Sequence, residues 1–362
     1  MALPASGGNP PTNPISASDI ANEFGYTNGS ETRLGSYRTT NGQGNFPVSF
    51  GALQFNSIDA QTGGSVPTSG QIKFSDFYGT RLQQVVNFYG SGKGGSRLVA
   101  KDRYNANSSG DVNVIGNYRT RPNNSSGTKV HIHVNQQIGS EKTRVEHCAL
   151  RTGSWDSSTT LQVDVGGSGR IGGAGGDGGR GSDSSNGNST SGRGGDGTSG
   201  LGVQYNPTTV NVASGGVITA GFGGGGGGGG AYDTDKEGAR TASGGGGGGG
   251  AGIPAGAGGA AGFNAGVNGQ PGNAGSISEG GTGGEGGNND GEAVAGDGGT
   301  GGEASDSADS GVTGQGGEGS TYSPGPAGSP GAAIRRNTGF TVNVNIASSG
   351  SVNGSQNATT VL

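Results

Sequence analysis

Between residues 83 and 165, apolar and polar positions alternate in short runs: VVNFYG, SRLVAK, DVNVIGNY, KVHIHV, RVEHCAL and TLQVDV, separated by clusters such as NANSSG and RPNNSSG. A period of two with turn residues at short spacing turns one face of each run toward a core. It predicts an antiparallel β domain, a small sandwich. Its core candidates are Val86, Phe88, Leu98, Val112, Val114, Val130, Ile132, Val134 and Leu161, with Trp155 and Cys148 nearby. Upstream, PISASDIANEFG (14–25) and GQIKFSDFYG (70–79) each set an isoleucine before Ser-Asp and a short apolar turn. Ser18 and Ser75 fit as N-caps, with Asp19 and Asp76 in the first turn where the helix dipole favours negative charge. Residues 1–82 therefore read as a small module of their own, entered by the extended arm MALPASGGNPPTN.

After residue 165 the alternation gives way to glycine, which supplies 89 of 362 residues and two uninterrupted blocks at 223–230 and 244–250. Glycine recurs every third residue at 166–181, 266–275 and 325–331. That register matches the left-handed extended helix with three residues per turn, whose glycine edge lets neighbours approach and exchange backbone hydrogen bonds. The expectation for 166–333 is a packed polyglycine-II bundle, all-glycine blocks inside and triplet segments outside. Gly172, Gly175, Gly178, Gly226, Gly247, Gly269 and Gly272 represent its structural core.

Three phrases share a V-x-V/I strand, a Gly- or Ser-rich turn and a second short strand: TLQVDVGGSGRIGG (160–173), TTVNVASGGVITAG (208–221) and TVNVNIASSGSVNG (341–354). Each predicts a β-hairpin, and together they predict a base for the glycine helices, with a hairpin insert at 208–221 and a C-terminal hairpin over 334–362. The fold class is mainly β with irregular structure: docking module, antiparallel sandwich, then a polyglycine-II bundle capped by hairpins. The polar interruptions at 182–191, 231–243, 276–280, 288–290, 303–310 and 320–324 become turns, and turns gathered at one end of a rod form a tip suited to recognition.

Composition narrows the class. Only 27% of residues are hydrophobic, too few for one large apolar core. No charged segment precedes an apolar stretch in the manner of an export signal, and no run is long enough to span a bilayer. Cys148 is the single cysteine, which excludes disulfide scaffolds. Residues 166–333 carry 5 Lys and Arg against 15 Asp and Glu, which argues against nucleic acid as partner and suits a soluble repetitive surface.

Candidate chemistry is sparse. His131 and His133 in KVHIHV share one strand face and are candidate metal ligands; equally they are polar outward residues opposite Val130, Ile132 and Val134, and with no third ligand evident no metal or other cofactor is assigned. DTDKEG (233–238) begins like a calcium loop, but Gly244 stands where a bidentate Glu is required. GSGKGG (90–95) lacks phosphate-loop spacing. No nucleophile elbow, Cys–His pair or apolar carboxylate pair is present, so the expectation is a protein that is not an enzyme.

The MALPASG opening with its ISASDI and SDFYG phrases resembles the N-terminal segment of tailed-bacteriophage structural proteins, notably tail-tip and tail-fibre proteins of marine phages. The triplet glycine register with short inserts, over 166–333, resembles the adhesins at the tips of T-even-type long tail fibres. The resemblance implies a virion protein that docks on other tail proteins through residues 1–82 and meets a host-surface receptor, a saccharide or an outer-membrane protein, through the inserts. On that analogy the receptor-facing candidates are Asn186, Asn188, Tyr232, Asp233, Asp235, Asn288, Asn289, Asp290, Asp306, Ser320 and Tyr322. The implied oligomeric state is monomer or trimer, with no nucleic acid partner and no membrane insertion. Two other readings stay open: a purely structural tail-tip, baseplate or nozzle component, and a secreted polyglycine-II protein of antifreeze type.

Overall fold

The computed structural model describes residues 14–24, 70–78, 129–134, 136–140, 144–155, 160–183, 190–235, 238–263, 266–304 and 322–361, with short strands at 39–40, 43–44, 58–60, 80–82, 84–88, 104–105 and 315–316. These fall into two compact units, one of residues 1–93, 106–133 and 154–163, the other of 94–105, 134–153 and 164–362.

In the first unit the helix Ala17–Phe24 is capped by Ser16 rather than Ser18: the Asp19 amide donates to Ser16 Oγ at 3.1 Å, and the Ser16 amide to Asp19 Oδ2 at 2.8 Å. This reciprocal pair is a capping box, and it begins two residues earlier than Ser-Asp suggests. In the 3-10 turn Phe74–Phe77 the Asp76 carboxylate likewise reaches back to the Lys73 amide, at 2.7 Å. Ile20 and Phe77 are fully buried.

In the second unit three sheets are built of parallel strands, which corrects both the antiparallel sandwich and the hairpins. One sheet stacks Gln137–Ile138, Arg170–Gly172, Val217–Thr219 and Ser351–Asn353; another stacks Tyr104–Asn105, Cys148–Arg151, Ser199–Val203, Ile334–Arg336 and Ala358–Thr359. Val342–Ile346 lies parallel on Thr208–Val212 in a third sheet. The chain passes from sheet to sheet as a three-sided coil. The turn phrases make corners, not reversals: Gly169, Gly216 and Gly350 each donate to the carbonyl three residues back, at Gly166, Ala213 and Ala347. Alternation fixes which side chains face inward, but it is the same for parallel and antiparallel pairing.

Because successive coils repeat one phrase, like residues stack in register. Ile138, Ile171 and Ile218 form one buried column, and Leu150, Leu201 and Ile334 another. On the outer face Asn211 donates to Asp164 Oδ1 at 2.7 Å and Asn345 to Asn211 Oδ1 at 2.8 Å, a ladder of side-chain amides along the coil.

The glycine-rich chain leaves the coil twice, between the first and second of these sheets: at 173–198, and again at 220–333. Its segments exchange backbone hydrogen bonds with the three-residue spacing of the register. Residues 244–250 show the rule most fully. They donate in rotation to three neighbours: Gly244, Gly247 and Gly250 to Ser182, Gly179 and Gly176; Gly245 and Gly248 to Gly296 and Gly299; Gly246 and Gly249 to Gln270 and Asn273. They accept from three others, through Gly256, Gly259 and Gly262, through Gly281 and Gly284, and through Gly225 and Gly228. These bonds measure 2.7–3.1 Å, and every residue from 244 to 250 both donates and accepts. Both all-glycine blocks are buried throughout, whereas Gly269 and Gly272 on an outer segment are half-buried beside exposed Gln270, Pro271 and Asn273. A fully buried Ile or Leu contributes roughly 1.5–3 kcal/mol. Such residues concentrate in the coil, so the bundle is held instead by paired backbone.

Gly175 and Gly178 sit in the first segment, donating to Pro254 and Ala257, and the Gly226 carbonyl accepts from Gly299. Gly172 is the end of a strand, where a Cβ would meet the Ile253 side chain at 2.7 Å, so its role is to admit that isoleucine.

Candidate functional site

An up-and-down bundle divides its turns between two ends. The near end adjoins the coil at Gly173, Thr198, Ala220 and Ala333; the far end lies at Ser182, Ser191, Gly230 and Ser243. The insert at 276–280 belongs to the near end, where the Gly252 amide donates to Ser276 and the Glu279 amide to Ser276 Oγ at 2.8 Å. Ile277, Ser278 and Ala304 there line a cavity of about 190 Å³ with Arg170, Val217 and Asn353 of the coil. Composition treated all inserts alike; the direction of each segment separates them.

The far end carries two small antiparallel sheets. The hairpin Ala231–Asp235 with Gly238–Ala242 extends the segments that enter and leave it, and Asn288–Asn289, Ala293–Val294 and Gln315–Gly316 form the second. Alanine makes their join possible: Ala231, Ala242, Ala293 and Ala295 form one buried cluster, small enough for the sheets to meet over glycine segments. An Arg240–Glu292 ion pair ties hairpin to sheet, and Asn289 Nδ2 donates to the Thr241 carbonyl at 3.4 Å. The turn at Asn288 is closed by its own side chain, whose Oδ1 accepts from the Gly291 amide at 2.8 Å, while Asp290 holds a positive φ of 55° and Gly291 one of 81°.

This end brings Tyr232, Asn288, Asn289, Asp290 and Tyr322 into one region. Tyr232 and Tyr322 are half-buried, Asn288 and Asp290 exposed, and the Tyr322 amide donates to the Gly230 carbonyl at the hairpin's foot. Asp233 is different: it is 4% exposed, opposite Arg240 in the hairpin register, and its Oδ1 has no hydrogen-bond partner. Alternation along Ala231–Asp235 turns it inward with Ala231, so it is not at the surface. The Asp235 backbone pairs with Gly238, and its side chain lies outside the described residues. Asn186, Asn188, Asp306 and Ser320 lie outside them altogether, as do the side chains of His131 and His133. Among the described residues no group of three or more His, Cys, Asp or Glu could hold a metal ion.

Two far-end residues complete the surface. Phe263 is 72% exposed and Val267 is also exposed; Phe263 is anchored by its amide to Asp183 Oδ1 at 2.7 Å, and Val267 bridges Ala242. Val267 interrupts a tract of glycine and small polar residues, a signal the sequence offered and the triplet count passes over. Phe222 by contrast is buried at the near end with Ala220 and Ala251.

The bundle's carboxylates also do more than solubilise. Asp177, Asp183, Asp196 and Asp297 accept the amides of Ala257, Phe263, Ser329 and Gly286 at 2.7–2.8 Å, on outer segments where no further helix supplies a carbonyl. With three residues per turn, i and i+3 share a face, and Arg193 reaches Asp196 at 2.6 Å. The hydrogen bond from Arg193 holds the Asp196 carboxyl below the usual carboxylate range and raises Arg193 in return.

Among known proteins, the family model described as "Phage tail fibre adhesin Gp38" matches residues 99–357. No curated protein sequence matches the chain. A solved structure, the gp37–gp38 adhesin tip complex of the bacteriophage S16 long tail fiber, is similar at 18% identity over 96% of this chain and 94% of that one, with a TM-score of 0.28, too low to carry a residue-level comparison.

Proposed function

This chain belongs to the phage tail fibre adhesin Gp38 family, and on that premise we propose that the far end of the glycine bundle is the receptor-binding surface. An adhesin of a tail fibre is a virion protein that binds rather than catalyses. The carrying observation is that Tyr232, Asn288, Asp290, Tyr322, Phe263 and Val267 collect on one end of a bundle whose segments are pinned by backbone bonds. Aromatic faces beside amide groups suit stacking and hydrogen bonding to a host-surface saccharide or protein loop, and a rigid support limits the ordering cost of binding. We read the ladders with three-residue spacing as polyglycine-II packing. Residues 1–82 are assigned to docking on the fibre, leaving the bundle free to face the host.

Binding of labelled protein to susceptible cells tests this. Tyr232→Ala with Phe263→Ala is expected to lower cell binding at least tenfold with unchanged melting, whereas Glu279→Ala at the near end leaves it unaltered. Full cell binding by the double variant sinks the assignment. No cell binding by the parent protein favours the purely structural reading.

A further inference from the structure

Among the described residues Asp233 is the single buried carboxylate, 4% exposed, and its Oδ1 has no hydrogen-bond partner. Taking a carboxylate out of water is costly, so buried acids are ordinarily matched by a base or by amide donors. A base stands directly opposite. In the hairpin register Arg240 faces Asp233, and such partners share a face with Cβ atoms about 4.5–5.5 Å apart. That face is the one closed by Ala231, Ala242, Ala293 and Ala295. Yet the ion pair of Arg240 is with Glu292 in the neighbouring sheet, whose side chain is 43% exposed against 22% for Arg240. The half-exposed acid is paired and the buried one is not.

One guanidinium thus stands between two acids, and the three groups together carry an excess of negative charge. Nothing in the later inserts balances it: from residue 241 to 334 the chain has no Lys or Arg. At the hairpin tip Lys236 is outnumbered by its neighbours Asp235 and Glu237. Arg180, at the same end, is paired with Asp183, and the exposed Asp290 adds a further negative charge two residues from Glu292.

We infer that the receptor supplies the missing positive charge: a lysine or arginine side chain of a host-surface protein pairs with Glu292, and Arg240 turns inward to Asp233. The inference rests on the far end being the receptor-binding surface, and it narrows the receptor from a saccharide or a protein loop to a protein with a basic side chain at the contact. Glu292 is open to a partner and Asp233 is not, so the exchange needs nothing to enter the hairpin. One ion pair becomes two, and the new internal pair forms in a drier place, where a charge-assisted bond of good geometry is stronger. Binding then draws on a group that the free protein leaves unsatisfied. The same pattern disfavours an anionic sugar, which would meet Asp290 and Glu292 at close range.

Binding of the labelled full chain to susceptible cells tests the receptor side. Blocking surface lysines with a membrane-impermeant acylating reagent, or surface arginines with hydroxyphenylglyoxal, is expected to lower binding at least tenfold. Binding that survives both reagents overturns the inference, with or without sensitivity to periodate oxidation of surface sugars.

On the protein side, Asp233→Asn keeps the shape and removes the charge. It is expected to lower cell binding at least tenfold while the melting temperature stays level or rises, because the free protein loses a buried carboxylate that has no partner. A carboxylate held for stability would lower the melting temperature instead. Glu292→Gln, at a half-exposed position, is expected to weaken binding as far, and the double variant to lose less than the two losses multiplied, since both acids act through Arg240. Full binding by either single variant, a lower melting temperature for Asp233→Asn, or losses that multiply in the double variant overturns the inference. The far-end surface is read apart from it: if Tyr232→Ala with Phe263→Ala loses binding while Asp233→Asn retains it, the surface stands and the charge exchange falls. No binding of the parent protein to untreated cells removes both.

Discussion

Replacing Gly247 by alanine isolates what the glycines do. The extended three-residue helix is open to alanine, so backbone strain contributes little, and a smaller unfolded-state entropy favours the variant by about 0.4–1 kcal/mol. The space is closed. A Cβ on Gly247 would lie 2.6 Å from the Gly225 carbonyl carbon and 2.8 Å from the Gly226 oxygen, distances below 3.0 Å that Cβ atoms do not tolerate. Those atoms cannot swing aside like a side chain. Gly225 donates to Gly248 and accepts from Gly179, and Gly226 accepts from Gly299, each at 2.8 Å. Restoring contact distance moves the two segments apart by about 1 Å, enough to end a hydrogen bond of ordinary length.

Losing one or two such bonds with their amides left buried costs about 1–3 kcal/mol each, and residual overpacking adds about 1–3 kcal/mol. After the entropic gain the net is about 3–5 kcal/mol. At about 2–4 °C per kcal/mol for a unit of this size, the melting temperature falls by roughly 6–20 °C. Scanning calorimetry reads it, with Gln270→Ala, on the exposed face of an outer segment, as the control expected to shift by less than about 2 °C. If Gly247→Ala melts with the control, the close-packed ladder is wrong.

The remaining predictions address the other devices. Asp196, whose carboxyl is held low chiefly by Arg193, contributes stability that is present above the unfolded pKa of about 3.9 and lost as pH falls through its lower folded value. Asp196→Asn is therefore expected to lower stability at pH 7 and to flatten the acid limb, so that variant and parent converge as pH falls below about 4; an unaltered acid limb refutes the assignment. Asn211→Leu breaks the amide ladder on both sides, and denaturant titration is expected to show a loss of about 1–2 kcal/mol; no loss would mean solvent replaces both bonds. Arg240→Ala frees the far-end hairpin from Glu292, and hydrogen exchange at 231–242 is expected to quicken while the melting point stays within about 2 °C. Unchanged exchange would show that the alanine cluster alone holds the join.

The glycine register was legible because a three-residue period has one structural meaning when neighbours also carry it. The coil was not. TTVNVASGGVITAG and TVNVNIASSGSVNG predict hairpins because a Ser-Gly turn between two apolar strands is the local signature of one, and only the pairing of Thr208 with Val342 shows that each strand finds its partner in the next repeat. That pairing lies across an insertion of more than a hundred residues, so no fixed period advertises it. Asp233 shows the same limit at the site. Its acidity and its place in a polar insert suggest a surface, and the alternation set by Ala231 turns it in. The first cap moved by two residues for a related reason: Ser16 and Ser18 both stand at the start of the helix, and the choice falls to the hydroxyl that lies three residues before Asp19.

The two scaffolds divide the demands on the molecule. In the coil, stability comes from side chains, so its phrases must keep their apolar positions. In the bundle the contacts are backbone to backbone, and they are indifferent to what stands at the far-end turns. Residues 231–242 and 288–295 join through the buried cluster of Ala231, Ala242, Ala293 and Ala295, while Tyr232, Asn288 and Asp290 stand at least partly outside it. A receptor-binding surface on such a support can change its Tyr, Asn and Phe residues without changing the energy of the support. The converse also holds: a single methyl at Gly247 is costly although it is far from any turn. Specificity and stability thus occupy different residues of the same glycine-rich stretch, and a substitution's effect on one should say nothing about its effect on the other.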